Sequence, residues 1–244
     1  MPEDRDDMPT GEDLGPECGG HRSGFVAVVG APNVGKSTLV NAYMGRKLAI
    51  VSPKPQTTRH RIMGILTEDD HQIIFVDTPG VHRPRNPFGE YMVSIADQAL
   101  ADADVILWLA DVTREPNHDD ERTAEALRSI SGVPIALVLN KLDLAAEVVR
   151  LARQAQYASL AQGIDVRFRV SAATREGLDH LLAWVVEQLP PGPQYYPADQ
   201  LTDREERFLV AELVREQALL NLRDEVPHSV AVTLDDFVER EQGK

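Results

Sequence analysis

Cysteine is all but missing from this 244-residue chain. Its single example, Cys18, excludes an intrachain disulfide, a paired-cysteine redox motif and a cysteine zinc cluster, and it suits a reducing compartment. Long apolar runs are missing too. No stretch approaches the roughly 18 to 20 residues that cross a bilayer, and no basic segment followed by an apolar core opens the chain. The expectation is a soluble, cytoplasmic protein. Basic residues are in deficit, with 25 Lys and Arg against 39 Asp and Glu and a net charge of −14. Such a field repels phosphates and argues against polyanion binding by the surface as a whole.

The acids are unevenly spread. Residues 1–22 carry Glu3, Asp4, Asp6, Asp7, Glu12, Asp13 and Glu17 against Arg5 and Arg22, with almost no large apolar side chain, and read as a disordered acidic tail. By contrast Arg46, Lys47, Lys54, Arg59 and Arg61 fall in a stretch without a single acid, a local basic patch or simply a solvated loop. The hydrophobic content of 43% is adequate for a packed core. The length allows one α/β domain of about 170 residues and a smaller second unit.

From residue 23 onward, strand-length apolar runs alternate with helix-length amphipathic segments, the pattern of a mostly parallel, helix-covered sheet. Six strands are expected at 25–30, 61–67, 72–77, 104–110, 134–140 and 166–170. Helices are expected at 36–44, 87–101, 119–131, 145–162 and 176–189. The run Pro190-Pro-Gly-Pro193 marks a boundary, so the main domain is placed at 23–190 and a linker at 191–201. Thr202-Asp-Arg-Glu205 has the form of a capping box opening a helix whose Phe208, Leu209, Leu213 and Leu220 share an apolar face. A short strand with Val230, Val232 and Leu234 on one side is expected after it.

Gly30-Ala-Pro-Asn-Val-Gly-Lys36-Ser37 matches G-x-x-x-x-G-K-[ST] directly after the apolar run Phe25–Val29. A Gly-rich turn entering a helix points backbone N–H groups inward at a phosphate; Lys36 can reach the β- and γ-phosphates and Ser37 can ligate Mg²⁺. Asp77-Thr-Pro-Gly80 follows the strand Ile73–Val76, which puts Asp77 where it can bind Mg²⁺ through water and the Gly80 N–H where it can reach a γ-phosphate. Asn140-Lys-Leu-Asp143 follows the strand Ile135–Leu139. There the Asp143 carboxylate can accept from guanine N1–H and the 2-amino group, a donor pair that adenine lacks, while the Lys141 stem would lie along the base plane. Ser171-Ala172-Ala173 resembles a loop whose Ala172 N–H would meet guanine O6. Between the P-loop helix and the second strand, Gln56-Thr57-Thr58-Arg59 sits where nucleotide switches place a Mg²⁺-ligating threonine. The expected ligands are GTP or GDP with Mg²⁺.

Together, Gly30 to Ser37, Gln56-Thr-Thr-Arg-His-Arg61, Asp77-Thr-Pro-Gly-Val-His82 and Asn140-Lys-x-Asp143 resemble the Era GTPase family, among the bacterial translation-factor-class GTPases. The resemblance covers about residues 24–240; Thr202-Asp-Arg204 and Pro227-His-Ser-Val230 are similar to the start of that family's KH domain. It implies a P-loop NTPase with a Ras-like G domain, followed by an incomplete KH-like α+β segment over 202–244. It also implies GTP hydrolysis coupled to binding of 16S rRNA and assembly of the small ribosomal subunit, in a monomer with peripheral contact to the inner membrane.

By the same resemblance the nucleotide is held by Gly30, Pro32, Asn33, Val34, Gly35, Lys36, Ser37, Thr38, Asp77, Thr78, Pro79, Gly80, Asn140, Lys141, Asp143, Ser171, Ala172 and Ala173. Mg²⁺ falls to Ser37, Thr58 and Asp77, Thr58 being favoured over Thr57. Catalytic roles go to Lys36, Thr58, Gly80 and Asn33, the last as a K⁺ ligand, because Val81 stands where Ras-type relatives carry a water-orienting Gln. His60 and His82 read as solvated loop histidines before they read as general bases. No Gly-x-x-Gly follows Pro193, so the RNA clamp of a KH domain is not in this stretch and the chain reads as C-terminally truncated. Two rival readings are a scaffold that binds RNA and GTP with negligible turnover, and a related GTPase acting in tRNA modification.

Overall fold

Strands that are apolar along their whole length need cover on both sides, and the computed structural model provides it. It describes residues 20–52, 57, 62–78, 99–222 and 230–236. Six strands, β1 (Arg22–Val29), β2 (Ile62–Thr67), β3 (His71–Asp77), β4 (Val105–Asp111), β5 (Ile135–Asn140) and β6 (Val166–Arg169), form one sheet in the order β2-β3-β1-β4-β5-β6. All neighbours are parallel except β2, which runs antiparallel to β3 at the edge. The helices are α1 (Lys36–Met44), α2 (His118–Arg128), α3 (Glu147–Leu160), α4 (Leu178–Gln188) and α5 (Glu206–Asn221). Residues 99–101 are also helical.

The period-2 alternation of each strand sorts the core into two halves. Val26, Val28, Val105, Leu107 and Leu109 pack with Leu39, Val40 and Tyr43 of α1 and Leu178, Leu181 and Val185 of α4. On the other face Ala27, Val29, Ile106 and Trp108 pack with Ala124 and Leu127 of α2 and Tyr157 of α3. Tyr43 stacks on Phe75 with ring centroids 5.0 Å apart. The start of α2 is set by a capping box: Asn117 Oδ1 accepts from the N–H groups of Asp119 and Asp120, and Asp120 Oδ2 accepts from Asn117 N. Arg114 then clamps the buried Asp120 carboxylate in a two-pronged pair.

The Pro-rich stretch expected as a linker is a strap bonded to the sheet. Ser23 N and Oγ donate to the carbonyls of Pro190 and Pro193, Gly192 N donates to His21 O, and Arg22 reaches the Leu189 carbonyl at 2.5 Å. Fully buried Gln72 accepts from Tyr195 N and Tyr196 N at 2.7 and 3.0 Å and donates to Tyr196 O at 2.8 Å. Beyond it, Ile65 N donates to Leu201 O, and Thr202 bridges to Gly64, which continues the sheet past its β2 edge.

Three expectations for the C-terminal segment need correction. Thr202 caps no helix: it sits in the bridge to Gly64, and α5 starts after Glu205, an extended residue without a side-chain cap bond. The buried face of α5 is Glu212, Arg215, Glu216 and Leu219, whereas Leu213 and Leu220 are 39% and 49% exposed. Of the expected face, Leu209 packs against the core and Phe208 lies under the Arg204 guanidinium. Residues 230–236, including Val230, Val232 and Leu234, form no strand. Most of the acidic tail and most of the helix expected at 87–101 lie outside the described residues.

Candidate functional site

The carboxyl ends of β1, β3, β4, β5 and β6 bring the sequence motifs to one rim of the sheet, where ligands of such folds bind. Gly30, in the left-handed region with φ 144°, leaves β1 so close to β4 that a Cβ would strike the Leu109 carbonyl oxygen. Gly35, with φ 103°, ends the loop where a Cβ would strike Asn140 Nδ2, and α1 starts at Lys36. Between them Asn33 stands exposed at φ 63°, a conformation asparagine tolerates better than most residues. Pro32 in the same turn and Thr38 in the first turn of α1 are half-buried, and Val34 is fully buried.

Asn140 joins the loops. Its Nδ2 donates to Val34 O at 2.9 Å and its Oδ1 accepts from Ala172 N at 2.9 Å, so one side chain holds the P-loop, the end of β5 and the Ser171–Ala173 turn together. The Ala172 N–H, expected at guanine O6, donates here to Asn140 Oδ1. Lys141, at φ 69°, sends its ammonium to Asn33 O and to Asp111 Oδ2, both at 2.7 Å. Asp143 is exposed and accepts from Ser171 Oγ at 2.5 Å, which orients its carboxylate for an outside donor.

Asp111 was not singled out by any motif. It ends β4 and accepts from Thr113 as well as from Lys141. Burial pushes its carboxyl up, but the hydrogen bonds from Lys141 and Thr113 outweigh that and hold it below the usual carboxylate range. The available signal was an acid closing a wholly apolar strand at the ligand-binding rim. Asn41 was missed as well: its amide bonds Leu48 N, Ala49 N and Ala49 O and fixes the chain leaving α1.

Two charged groups sit deep in the site. Lys36 is buried and folds onto the carbonyls of Gly30 and Ala31 at 3.1 and 3.0 Å; burial lowers it to about 8, with Asp77 pulling it back up. Asp77 is fully buried, and burial raises its carboxyl to about 6 against the Ser37 hydrogen bond and the Lys36 charge. Its Oδ2 accepts from Ser37 Oγ at 2.6 Å, while its buried Oδ1 has no hydrogen-bond partner among the described residues. A buried carboxylate oxygen without a donor, next to a serine hydroxyl, is the donor set a hard cation such as Mg²⁺ takes. Buried Thr78 spends its hydroxyl on Val28 O and keeps the end of β3 beside β1. Ala173 is exposed on its turn. Thr58, Pro79, Gly80, Val81, His60 and His82 lie outside the described residues.

Residues 25–141 match the family described as 50S ribosome-binding GTPase. The chain is 43% identical over 223 residues to GTPase Era of Ruminiclostridium cellulolyticum, covering 91% of this chain and 74% of that one. It is 46% identical over 223 residues to GTPase Era of Clostridium perfringens, covering 91% and 75%. Its fold is similar, with a TM-score of 0.80 and 38% identity over 86% of this chain and 70% of the other, to Era bound to MgGDPNP and nucleotides 1506–1542 of 16S ribosomal RNA. It is equally similar, at a TM-score of 0.80 and 38% identity over 85% of this chain and 70% of the other, to a single-residue variant of Aquifex aeolicus Era bound to GDP·AlF4⁻.

Proposed function

The chain belongs to the GTPase Era family, and on that premise we propose a guanine-nucleotide switch whose P-loop, Lys36 and Asp143 hold the nucleotide and whose partner is 16S rRNA of the small ribosomal subunit. It binds GTP and GDP and hydrolyses GTP. The observation that supports the site assignment is the hydrogen-bond network of Asn140 and Lys141, which ties the P-loop, the end of β5 and the Ser171 turn together. Phosphates would take the inward N–H groups of residues 30–37 and draw the Lys36 ammonium off its carbonyls. Asp143 would read the guanine edge, with Asn140, Ser171, Ala172 and Ala173 framing the base.

Ser37, Asp77 and Thr58 would hold Mg²⁺, as Asp77 Oδ1 invites. When bound, the ion neutralises charge on the β- and γ-phosphate oxygens. Gly80, beyond Asp77, Thr78 and Pro79, would offer its N–H to the γ-phosphate.

Val81 brings no polar group to the attacking water, so charge neutralisation on the phosphoryl group has to come from elsewhere. We place a K⁺ ion at Asn33, which is exposed on the lip of the P-loop and has its carbonyl fixed by Lys141. Binding of rRNA and a role in 30S assembly are proposed from the family, as are a monomeric state and a cytoplasmic location with peripheral inner-membrane contact. No helix among the described residues is long and apolar enough to cross a membrane. Single-turnover GTP hydrolysis in K⁺ and in Na⁺ at constant ionic strength tests the K⁺ site. The rate should rise severalfold in K⁺ and the difference should vanish in Asn33→Ala; equal rates in both salts would remove K⁺ from the reading.

A further inference from the structure

Helix α5 buries charge where an ordinary packing helix buries leucine. The side chains of Arg215, Glu212 and Glu216 are 4%, 9% and 1% exposed. Taking such groups out of water is costly, and apolar residues of similar volume usually hold a helix in place at least as well. Their contacts show what the charges do. Arg215 Nε and Nη2 bond the two Glu212 oxygens at 2.7 and 2.5 Å, and Nη2 also donates to the Thr57 carbonyl at 2.6 Å. Glu216 Oε1 accepts from Val51 N at 2.8 Å while its other oxygen pairs with Lys47.

Each of these contacts outside α5 falls between α1 and β2. Neither Val51 nor Thr57 lies in a strand, so their backbone N–H and C=O groups draw on donors and acceptors outside a sheet ladder. Asn41 fixes the segment at Leu48 and Ala49, Glu216 at Val51 and Arg215 at Thr57. The next residue in the sequence is Thr58.

We propose that α5 is a positioning element for the nucleotide switch: Arg215, braced by Glu212, fixes the Thr57 carbonyl so that Thr58 meets Mg²⁺ and GTP with less ordering cost. The inference rests on the reading of Thr58 as the switch ligand. It makes Arg215 a positioning residue, 158 positions from Thr57 in sequence yet joined through a single carbonyl to the segment that senses the γ-phosphate.

Arg215→Ala alone would strand a buried Glu212 and could unfold the helix, so the informative variant replaces the pair, Glu212→Met with Arg215→Met. Affinities for GDP and for a non-hydrolysable GTP analogue, both with Mg²⁺, are measured for the wild type, the pair variant, Arg215→Lys and Thr58→Ala. The pair variant should keep its GDP affinity and lose about tenfold for the GTP analogue, the worth of one charge-assisted hydrogen bond. Arg215→Lys, which retains a donor for Thr57 O, should recover part of the loss. An unchanged or tighter analogue affinity in the pair variant, or an equal loss for both nucleotides, overturns the positioning role. Thr58→Ala separates the two claims: if it too leaves the ratio unchanged the assignment of Thr58 fails, whereas a selective loss there without one in the pair variant removes the tether alone.

Discussion

Lys36 and Asp77 are the two side chains on which burial and function pull in opposite directions. Asp77 rises to about 6 through burial, so its neutral form favours the folded state: that stability is fully present below the ordinary carboxyl value and is lost as pH rises through about 6. Lys36 falls to about 8, so its contribution is present above the ordinary ammonium value and is lost as pH drops through about 8. At neutral pH both groups are charged and desolvated, and in the proposed reading a phosphate with its cation would relieve both at once. Bound phosphate should return Lys36 to its fully protonated state, so nucleotide binding above pH 8 should take up a proton. GDP affinity should then fall with rising pH, by up to about tenfold per unit. Calorimetry at pH 8.5 in buffers of different ionisation enthalpy reads the uptake directly; heats that do not change with the buffer would exclude Lys36 as the phosphate's counter-charge.

At the scale of elements, β1 and β3 to β5 were legible because burial on both faces writes an unbroken apolar run, and the turn from β1 to α1 because the Gly30 and Gly35 conformations admit only glycine without strain. The same criterion misread α5. Apolarity stands in for burial only while a helix packs on apolar neighbours, and α5 packs on the backbone polar groups of Val51 and Thr57, which call for Glu216 and Arg215. Lys47, counted in a basic patch, is partly spent on Glu216 for the same reason.

The strap was illegible in a different way. Pro and Gly at 190–193 mark the end of α4, but nothing in those residues names Gln72, 123 positions before Tyr195, as the partner of Tyr195 and Tyr196. Gln72→Leu should leave three part-buried backbone groups without their partner and cost about 1 to 3 kcal/mol of unfolding free energy, read from urea denaturation. A loss within about 0.5 kcal/mol, typical of a surface change, would show that the strap stays put without it.

For the whole molecule, the order β2-β3-β1-β4-β5-β6 puts every ligand loop on one rim, and the strap carries the chain round the β2 edge to set α5 against the segment that enters β2. Sheet, the segment between α1 and β2 and the C-terminal helix are thus tied to one another by hydrogen bonds. In the proposed reading that rim would read guanine through Asp143, which accepts from Ser171, beside the loops that Asn140 and Lys141 tie together. The most direct test is calorimetric titration of the protein with Mg²⁺ and GDP, then ADP, with Asp143→Asn and xanthosine diphosphate as the reciprocal pair. GDP should bind at least about a thousandfold more tightly than ADP, because adenine leaves the Asp143 acceptor unpaired, and Asp143→Asn should exchange that preference for xanthine. Comparable affinities for GDP and ADP in the unaltered protein would contradict the account.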